Sequence, residues 1–262
     1  MVSIVTVAHR SGDELAQLLP ALPTGAEVIV VDTDGSAAGA RATVIERRDN
    51  PGFGPANNEA VARASGDVTV LLNPDILPRP GAVERLAALA AGREALVVPR
   101  LLDADGSIQR SAFALPGNPS GLLTALTPGV LRREPWRARA PRIVGWALAA
   151  ALAAPTELLR RLGPFDPDVF LFYEDMDLCL RARAAGVPTV LHPEVELTHT
   201  GAHSYGTAAV EVLACRRREV VGANLGPRAL RLDDAAQIAE FAARSWRARD
   251  RARLRAVLQA RG

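Results

Sequence analysis

The sequence contains no lysine, since all 31 cationic residues among its 262 positions are arginine. This absence excludes enzymes that form a Schiff base on lysine, and it excludes the phosphate-binding loop GxxxxGK[ST]. The only cysteines are Cys179 and Cys215, so we expect neither a disulfide framework nor a cysteine-rich zinc site, and the predicted compartment is a reducing cytoplasm. Aromatic residues make up 4% of the chain, so alanine and aliphatic side chains must fill the core.

Long hydrophobic runs and a strong net charge are also missing. The longest apolar run, IVGWALAAALAAP from Ile143, is shorter than the roughly 20 residues that span a bilayer, and we interpret it as a buried strand or core segment. The amino terminus lacks the pattern of a signal peptide. Net charge is only +2, and we interpret the carboxyl-terminal arginines (216–219 and 244–256) as a solvated helix face rather than a nucleic-acid site.

Hydrophobic patterns in the first hundred residues alternate between the periods of strands and helices. Strands are predicted at 2–8, 27–32, 42–47, 67–73 and 95–102, and helices at 55–65 and 81–91. This alternation predicts an α/β fold with a mostly parallel sheet covered on both faces. Later segments predict helices at 156–163 and 174–186, two strands within 187–199, and one or two helices from Thr207 onward. Residues 111–141 predict a long loop that could serve as a lid.

Three stretches carry candidate chemistry. LLNPDILP places Asp75 where a strand ends, which suits a cation ligand, although Asn-Pro and Asp are also ordinary turn residues. HTGAH places His199 after a strand, where a histidine is either a ligand or a structural residue. In FLFYEDMDLCL, acids in a first helical turn are favoured by the helix dipole, whereas the aromatic residues before them could raise the pKa of a catalytic base. Both interpretations remain open on these grounds.

In combination, these motifs are similar to those of a known family. The segments VSIVTVAHRSGDEL, EVIVVDTDGS, RRDNPGFGPANNEAVARASGD, VLLNPD, PRLLDADGSIQRS, LGPFDPDVFLFYEDMDLCLRARAAG and LTHTGAHS occur in order between Val2 and about Ser204. The chain resembles the family 2 glycosyltransferases of the GT-A fold, particularly the bacterial rhamnosyltransferase-like branch. The resemblance implies a glycosyltransferase domain over 1–205, with a nucleotide-binding half (1–100) and an acceptor half (101–205), and a helical extension over 206–262.

The resemblance also implies the residues that bind the donor. Asp32 matches the acid that hydrogen-bonds the nucleotide base, and Asp75 and His199 match the site of a divalent cation, Mg²⁺ or Mn²⁺, on the donor diphosphate. The remaining nucleotide-binding candidates are Asn50, Gly52, Phe53, Asn57 and Asn73.

On the acceptor side, Asp175 matches the catalytic base, with Glu174 beside it. Asp177 and Trp146 are assigned to the acceptor pocket. The implied reaction is an inverting, metal-dependent transfer from a nucleoside-diphosphate sugar, with dTDP-L-rhamnose as the first expectation, to a glycan, lipid-linked or glycoconjugate hydroxyl. A basic tail and lipid-linked acceptors would place the protein in the cytoplasm, at the inner face of the plasma membrane. A homodimer is left open.

Three segments depart from the family pattern. The first strand ends in Ala8-His9-Arg10 instead of an Asn-Tyr-Asn-like triplet, and the turn in VDTDGS is shortened. Gly145 stands where relatives commonly carry an acid, and alanine and leucine replace a Ser-Gly-Ala-like turn that faces the acceptor. An alternative function follows from this last change: a catalytically degenerate protein that binds sugar nucleotides as a partner or regulatory subunit.

An NAD-type oxidoreductase would need GxGxxG after the first strand, and HRSGDE has one glycine.

Overall fold

The computed structural model describes residues 1–119, 127, 134–167, 171–201 and 207–261. The chain forms two compact units. The first comprises residues 1–113 and 135–201, and the second contains the described residues of 114–134 and 202–262. Of the expected lid (111–141), residues 120–126 and 128–133 lie outside the described part. The boundary expected near residue 205 remains a prediction.

The first half of the main unit is built from parallel strands and helices. Its strands are β1 (Val2–Ala8), β2 (Glu27–Asp32), β3 (Thr43–Glu46) and β4 (Val68–Leu72), and its helices are α1 (Gly12–Ala21) and α2 (Phe53–Arg63). The strands lie in the order β3-β2-β1-β4, and all three pairs are parallel. Every residue of β4 is buried, as expected of a strand covered on both faces. The predicted α/β fold is therefore confirmed.

The second half adds antiparallel strands to the same sheet. Its elements are β5 (Ile76–Pro78), α3 (Ala82–Ala90), β6 (Leu96–Leu102), β7 (Ala112–Phe113), β8 (Arg142–Val144), β9 (Trp146–Ala147), β10 (Ala151–Pro155), α4 (Thr156–Leu162), α5 (Glu174–Ala184) and β11 (Thr189–His199). Strand β10 lies between β4 and β6 and is antiparallel to both. Strand β11 is parallel to β6 and antiparallel to β5 and β8. Strands β7 and β9 form a separate antiparallel pair.

The two strands predicted within 187–199 are a single strand, β11. The register of β11 against β6 shifts between His192 and Glu196, and Pro193 lies inside the shift. Proline has no N–H to donate to a neighbouring strand, so it interrupts the ladder and is tolerated at a bulge. The sequence signal that we interpreted as a break between strands is therefore an irregularity within one strand.

The carboxyl-terminal unit contains α6 (Thr207–Ala242) and α7 (Ala248–Gln259). Helix α6 is interrupted at Gly226, which has φ of 79° and is followed by Pro227. A glycine with positive φ ends a helix and proline suits the first position of the next, so α6 is two helices joined at a kink. Paired hydrogen bonds of 2.8 Å from the Arg217 guanidinium to the Asp233 carboxylate connect the two parts. No helix in the described residues is long and apolar enough to cross a membrane.

The apolar run from Ile143 is only partly buried, and this yields a stability test. Leu152 in β10 has no exposed surface, whereas Ile143 in β8 is 60% exposed. We expect Leu152→Ala to lower the free energy of unfolding by about 2–5 kcal/mol, because the sheet cannot collapse onto the cavity that it leaves. The matched variant Ile143→Ala should lower it by less than about 1 kcal/mol. Urea denaturation measures both, and equal losses would contradict the placement of β10 at the centre of the sheet.

Candidate active site

A cavity of about 470 Å³ opens at the carboxyl ends of β1, β2 and β4. The register pairs Ala8 with Asp32, so the segments that follow these two strands begin at the same level. In open α/β sheets this edge is where ligands bind. Five of the residues predicted for donor binding line the cavity: Asn50, Gly52, Phe53, Asn73 and Asp75.

The pairing of β5 with β11 brings His199 to Asp75. His199 lies opposite Ile76 in that ladder, and its Nε2 is 3.2 Å from Oδ1 of Asp75. The backbone N–H and the hydroxyl of Thr200 both donate to the main-chain oxygen of Asp75, at 2.9 and 3.0 Å. Two residues that are 124 positions apart are thus fixed beside each other by main-chain contacts.

The residues around Asp75 fit a divalent cation. Oδ1 of Asn73 and Oδ1 of Asp75 are buried, and neither accepts a hydrogen bond from any described residue. Buried acceptors without a partner are unfavourable, and Mg²⁺ and Mn²⁺ prefer such oxygens, with imidazole as a further ligand for Mn²⁺. Within the described part of the chain, no three His, Cys, Asp or Glu side chains are grouped closely enough to hold a metal. A cation here would therefore need further ligands from water or a bound phosphate.

Gly201 makes the approach of these groups sterically feasible. A β-carbon at this position would overlap Oδ2 of Asp75 and lie 3.3 Å from Nε2 of His199. Any larger residue would have to displace the carboxylate. Gly201 lies between the two histidines of the HTGAH segment, where no local pattern indicates its contact with Asp75.

Asp32 is placed differently from the expectation. Only 1% of its surface is exposed, and its Oδ1 accepts hydrogen bonds from the backbone N–H groups of Asp34 (3.2 Å) and Gly35 (2.8 Å). Arg48 donates to its Oδ2 at 3.3 Å. Asp32 therefore holds the turn after β2, and Thr33 takes its place on the cavity wall. The contact of Asp32 with a nucleotide base remains a prediction.

The predicted NPGFGPANN segment forms one edge of the cavity. Asn50 and Gly52 both have positive φ, 42° and 95°, and their conformation turns the chain into α2 at Phe53. The Phe53 ring meets the ring of Phe165 edge-on, with centroids 5.5 Å apart. Asn57 is 2% exposed and donates to the main-chain oxygen of Phe53 at 2.9 Å, so it supports the helix and is not among the cavity-lining residues.

The segment after β1 supplies cavity residues whose roles the sequence did not reveal. Nδ1 of His9 is 3.0 Å from the hydroxyl of Thr33, which itself donates to the main-chain oxygen of Ala8 at 2.8 Å. That hydroxyl can therefore accept the proton of Nδ1. Arg10 has φ of 54° and donates its backbone N–H to Asp34. The only sequence signal was that Ala8-His9-Arg10 departs from the family triplet.

Helix α5 begins with two adjacent acids, of which Glu174 is buried and Asp175 is half-buried. Phe172 and Tyr173 precede it with positive φ, 75° and 62°. Burial, with a smaller contribution from the charge of Asp175, raises the pKa of Glu174 to about 8. Burial also raises the pKa of Asp175 to about 6, against the opposing effect of backbone hydrogen bonds from Met176 and Ala149. The structure thus gives α5 two adjacent carboxyl groups whose pKa values are both raised by burial, as in sites of general acid–base catalysis.

A short backbone segment connects two clusters of side chains. One cluster is Asn73, Asp75 and His199, and the other is the acid pair Glu174 and Asp175 at the start of α5. The N–H of Asn73 donates to the main-chain oxygen of Ala150 at 2.8 Å, and the adjacent residue Ala149 hydrogen-bonds Asp175. The alanines that replace the expected polar turn therefore bind both clusters through their main chain, which does not depend on side-chain identity.

Trp146 contacts the aromatic residue that precedes the acids. Its ring stacks on Phe113, with centroids 4.2 Å apart and planes 17° apart, and its centroid is 5.9 Å from that of Tyr173. Trp146 thus lies near the start of α5, as the acceptor-side assignment requires. Phe170, the first aromatic residue of FLFY, lies outside the described residues, as does His203.

Asp177 has a structural partner. Its Oδ2 accepts from Nε of Arg181 at 2.7 Å, and the same guanidinium donates to the main-chain oxygens of Leu162 (2.6 Å) and Pro164 (2.8 Å). The pair ties α5 to the turn after α4. An acceptor-side role for Asp177 remains a prediction.

Comparison with known proteins identifies relatives in sequence and in fold. A family model described as "Glycosyltransferase like family 2" matches residues 24–257. The N-acetylglucosaminyl-diphospho-decaprenol L-rhamnosyltransferase of Mycobacterium tuberculosis is 27% identical over 252 residues, which cover 83% of this chain and 82% of the relative.

Two solved structures share the fold. The mannosyltransferase PcManGT from Pyrobaculum calidifontis, in complex with GDP-Man and Mn²⁺, matches 99% of this chain and 73% of its own, with a TM-score of 0.61 and 16% identity. GalNAc-T7 with UDP, GalNAc and Mn²⁺ matches 84% of this chain and 47% of its own, with a TM-score of 0.60 and 17% identity. At these identities the likeness concerns the fold.

The buried Glu174 predicts how stability depends on pH. Its folded pKa of about 8 lies above its ordinary value of 4.5, so the protein must lose stability as pH rises through that range. Glu174→Gln removes this dependence. Between pH 5 and pH 9, the free energy of unfolding of the wild type should fall relative to the variant by on the order of 1 kcal/mol or more.

Urea denaturation at several pH values measures this difference. Glu84→Gln, at an exposed site on α3, serves as the control and should keep the pH dependence of the wild type. Parallel pH profiles for the wild type and Glu174→Gln would contradict the raised pKa.

Proposed function

The chain belongs to the glycosyltransferase-like family 2, and we propose that it transfers a sugar from a nucleoside-diphosphate sugar to an acceptor hydroxyl with inversion of configuration. One observation carries the proposal. The cation-fitting group at Asp75 and the carboxyl pair of Glu174 and Asp175 are joined through Ala149 and Ala150. The proposed leaving-group site and the proposed base would thus be connected through two adjacent residues.

Each cluster would perform one part of the reaction. Asp175, ionised above about pH 6, would take the proton of the acceptor hydroxyl as it attacks the sugar. Glu174 is protonated at pH 7, so it adds no second negative charge beside the base. Asn73, Asp75 and His199 would hold Mg²⁺ or Mn²⁺, which when bound offsets the charge that develops on the departing diphosphate. A base on one face and a leaving group on the other give direct displacement, without a covalent enzyme intermediate.

The proposed donor and acceptor classes are supported by the mycobacterial relative. The printed name of the mycobacterial relative specifies an L-rhamnosyl group and a diphospho-decaprenol-linked acceptor. We extend this to dTDP-L-rhamnose as donor and to a lipid-linked or other glycan acceptor in bacterial cell-wall or polysaccharide synthesis. UDP- and GDP-sugars are the competing donors. His9 and Arg10 line the cavity where relatives have an Asn-Tyr-Asn-like triplet, and Thr33 lines it beside the buried Asp32.

A second candidate is a sugar-nucleotide-binding protein without transferase activity. It is favoured by the replacement of a polar acceptor-facing turn by Leu148, Ala149 and Ala150. The raised pKa values of Glu174 and Asp175 favour the enzyme, because a protein that only binds nucleotide has no need of a buried base.

The carboxyl-terminal unit carries an exposed tryptophan and arginines that could contact the membrane that holds a lipid-linked acceptor. Trp246 is 72% exposed, and the guanidinium of Arg247 lies 4.4 Å from its ring centroid. Helix α7 carries four exposed arginines: Arg249, Arg251, Arg253 and Arg255. Exposed tryptophan beside arginine suits the interface of an anionic membrane. We propose peripheral contact at the cytoplasmic face of the plasma membrane.

Two isosteric substitutions separate the roles of the acids. Asp175→Asn should preserve binding of dTDP and lower the transfer rate by about 10²-fold or more, because the base is lost. Asp75→Asn should abolish the Mn²⁺-dependent part of dTDP binding. Thermal shift with and without Mn²⁺ measures binding, since a ligand selective for the folded state stabilises it. Wild-type turnover by Asp175→Asn would overturn the base assignment.

Asp105→Asn, in an exposed turn, is the control and should change neither property. Turnover of a nucleotide sugar by the wild type would exclude the binding-only function. Selective nucleotide binding with neither transfer nor donor hydrolysis across a donor panel would support it instead.

Membrane contact is tested by Trp246→Ala. We expect partitioning to vesicles containing phosphatidylglycerol to fall about fivefold or more, because the ring no longer inserts beside the basic helix. Vesicles of phosphatidylcholine alone are the control, and binding to them should be weak for both proteins. Unchanged sedimentation of the variant with anionic vesicles would contradict the proposed contact.

A further inference from the structure

The segment PRLLDADGSIQRS, one of those that resemble the family, places a buried glutamine beside His199. A turn after β6 reverses the chain, and the N–H of Gln109 donates to the main-chain oxygen of Leu101 at 2.9 Å. Strand β6 is paired with β11 in the register Leu101 to Leu197 and Leu102 to Thr198, so the end of β6 lies beside His199. Gln109 is 4% exposed, and its Oε1 is 2.9 Å from Nδ1 of His199.

Asp103 determines which way the Gln109 amide faces. Nε2 of Gln109 donates to Oδ1 of Asp103 at 2.8 Å. An ionised carboxylate only accepts hydrogen bonds, so the amide nitrogen must point to Asp103 and the amide oxygen must point to His199. The amide oxygen in turn only accepts, so the proton on the imidazole must be on Nδ1.

A proton on Nδ1 leaves a lone pair on Nε2 in the neutral ring. Nε2 is the atom that lies 3.2 Å from Oδ1 of Asp75. Two acceptors facing each other at this distance repel unless a cation lies between or beside them.

We propose that Asp103 and Gln109 are positioning residues, which keep the His199 proton on Nδ1 and so present Nε2 as a ligand for a divalent cation at Asp75. The inference rests on the proposed function for the identity of that cation. Hydrogen bonds to the second nitrogen of a metal-binding imidazole fix its tautomer and orientation, and their loss typically lowers metal affinity by about 10–100-fold.

The tautomer of His199 is tested directly by ¹⁵N NMR of the metal-free protein labelled at histidine. The His199 signals are identified among the four histidines by their absence from His199→Asn. We expect the wild type to carry the proton on Nδ1. In Gln109→Leu, which cannot accept, the proton should move to Nε2 and donate to Asp75. Protons on both nitrogens of the wild type, or an unchanged tautomer in Gln109→Leu, would overturn the proposal.

Mn²⁺ affinity is measured in parallel from the EPR signal of the free ion. Gln109→Leu should bind Mn²⁺ about 10–100-fold more weakly than the wild type. The double variant Asp103→Asn/Gln109→Glu places an amide donor at 103 against a carboxylate at 109, which still accepts from Nδ1, so it should keep both the tautomer and most of the affinity. A merely structural role of Gln109 would not predict this. Gln237→Leu is the matched control, because it deletes a glutamine–aspartate hydrogen bond, to Asp233, in the carboxyl-terminal unit.

These readouts distinguish the inference from the function on which it rests. Failure of the wild type to bind Mn²⁺, alone or with dTDP, would remove the cation from the proposed function whatever the variants do. Wild-type Mn²⁺ binding that Gln109→Leu retains in full would overturn the positioning role alone. If Gln109→Leu fails to fold, loss of the Nδ1 tautomer in Asp103→Asn/Gln109→Glu would overturn it equally.

Discussion

The site depends on the antiparallel pairing of β10 with β4. This pairing carries the chain past the end of β4, where Ala150 accepts a hydrogen bond from Asn73, and Ala149 then hydrogen-bonds Asp175. Without β10, no main-chain contact would connect the segment after β4, which carries Asp75, to the start of helix α5, which carries Glu174 and Asp175. Every residue of β10 before Pro155 is buried, so the strand is held by the core on both of its faces.

Burial of charge is the main energetic cost of this arrangement, and the structure limits that cost in two ways. The raised pKa of Glu174 favours its neutral form, which limits the desolvation of a charge, although its Oε2 is buried without a hydrogen-bond partner among the described residues. Oδ1 of Asp75 and Oδ1 of Asn73 also lack hydrogen-bond partners among the described residues, and a cation can satisfy these two oxygens. Burial of Glu174 thus raises its pKa, whereas burial of the oxygens of Asn73 and Asp75 leaves them available to a cation. Both need a rigid surrounding core, because a looser one would admit water.

Local patterns in the sequence were sufficient for the strand–helix alternation and for the strand ends that carry Asp75 and His199. They failed where long-range contacts decide. Pro193 resembled a break between strands, but the ladders of β11 on either side make it a bulge. The carboxylate of Asp32 accepts hydrogen bonds in the turn after β2, which no local pattern indicated, and its contact with a nucleotide base remains a prediction. The role of Gln109 needs the register of β6 against β11, which no local pattern encodes.

The two residues before α5 have a left-handed backbone conformation that favours glycine, but both carry aromatic side chains. Phe172 and Tyr173 occupy a backbone region that is unfavourable for side chains with a β-carbon and favourable for glycine. Glycine at either position would relieve backbone strain, but it would remove a half-buried aromatic ring beside the acids, and at Tyr173 the contact with Trp146. An engineering programme should therefore hold both positions fixed while it improves the rest of the fold.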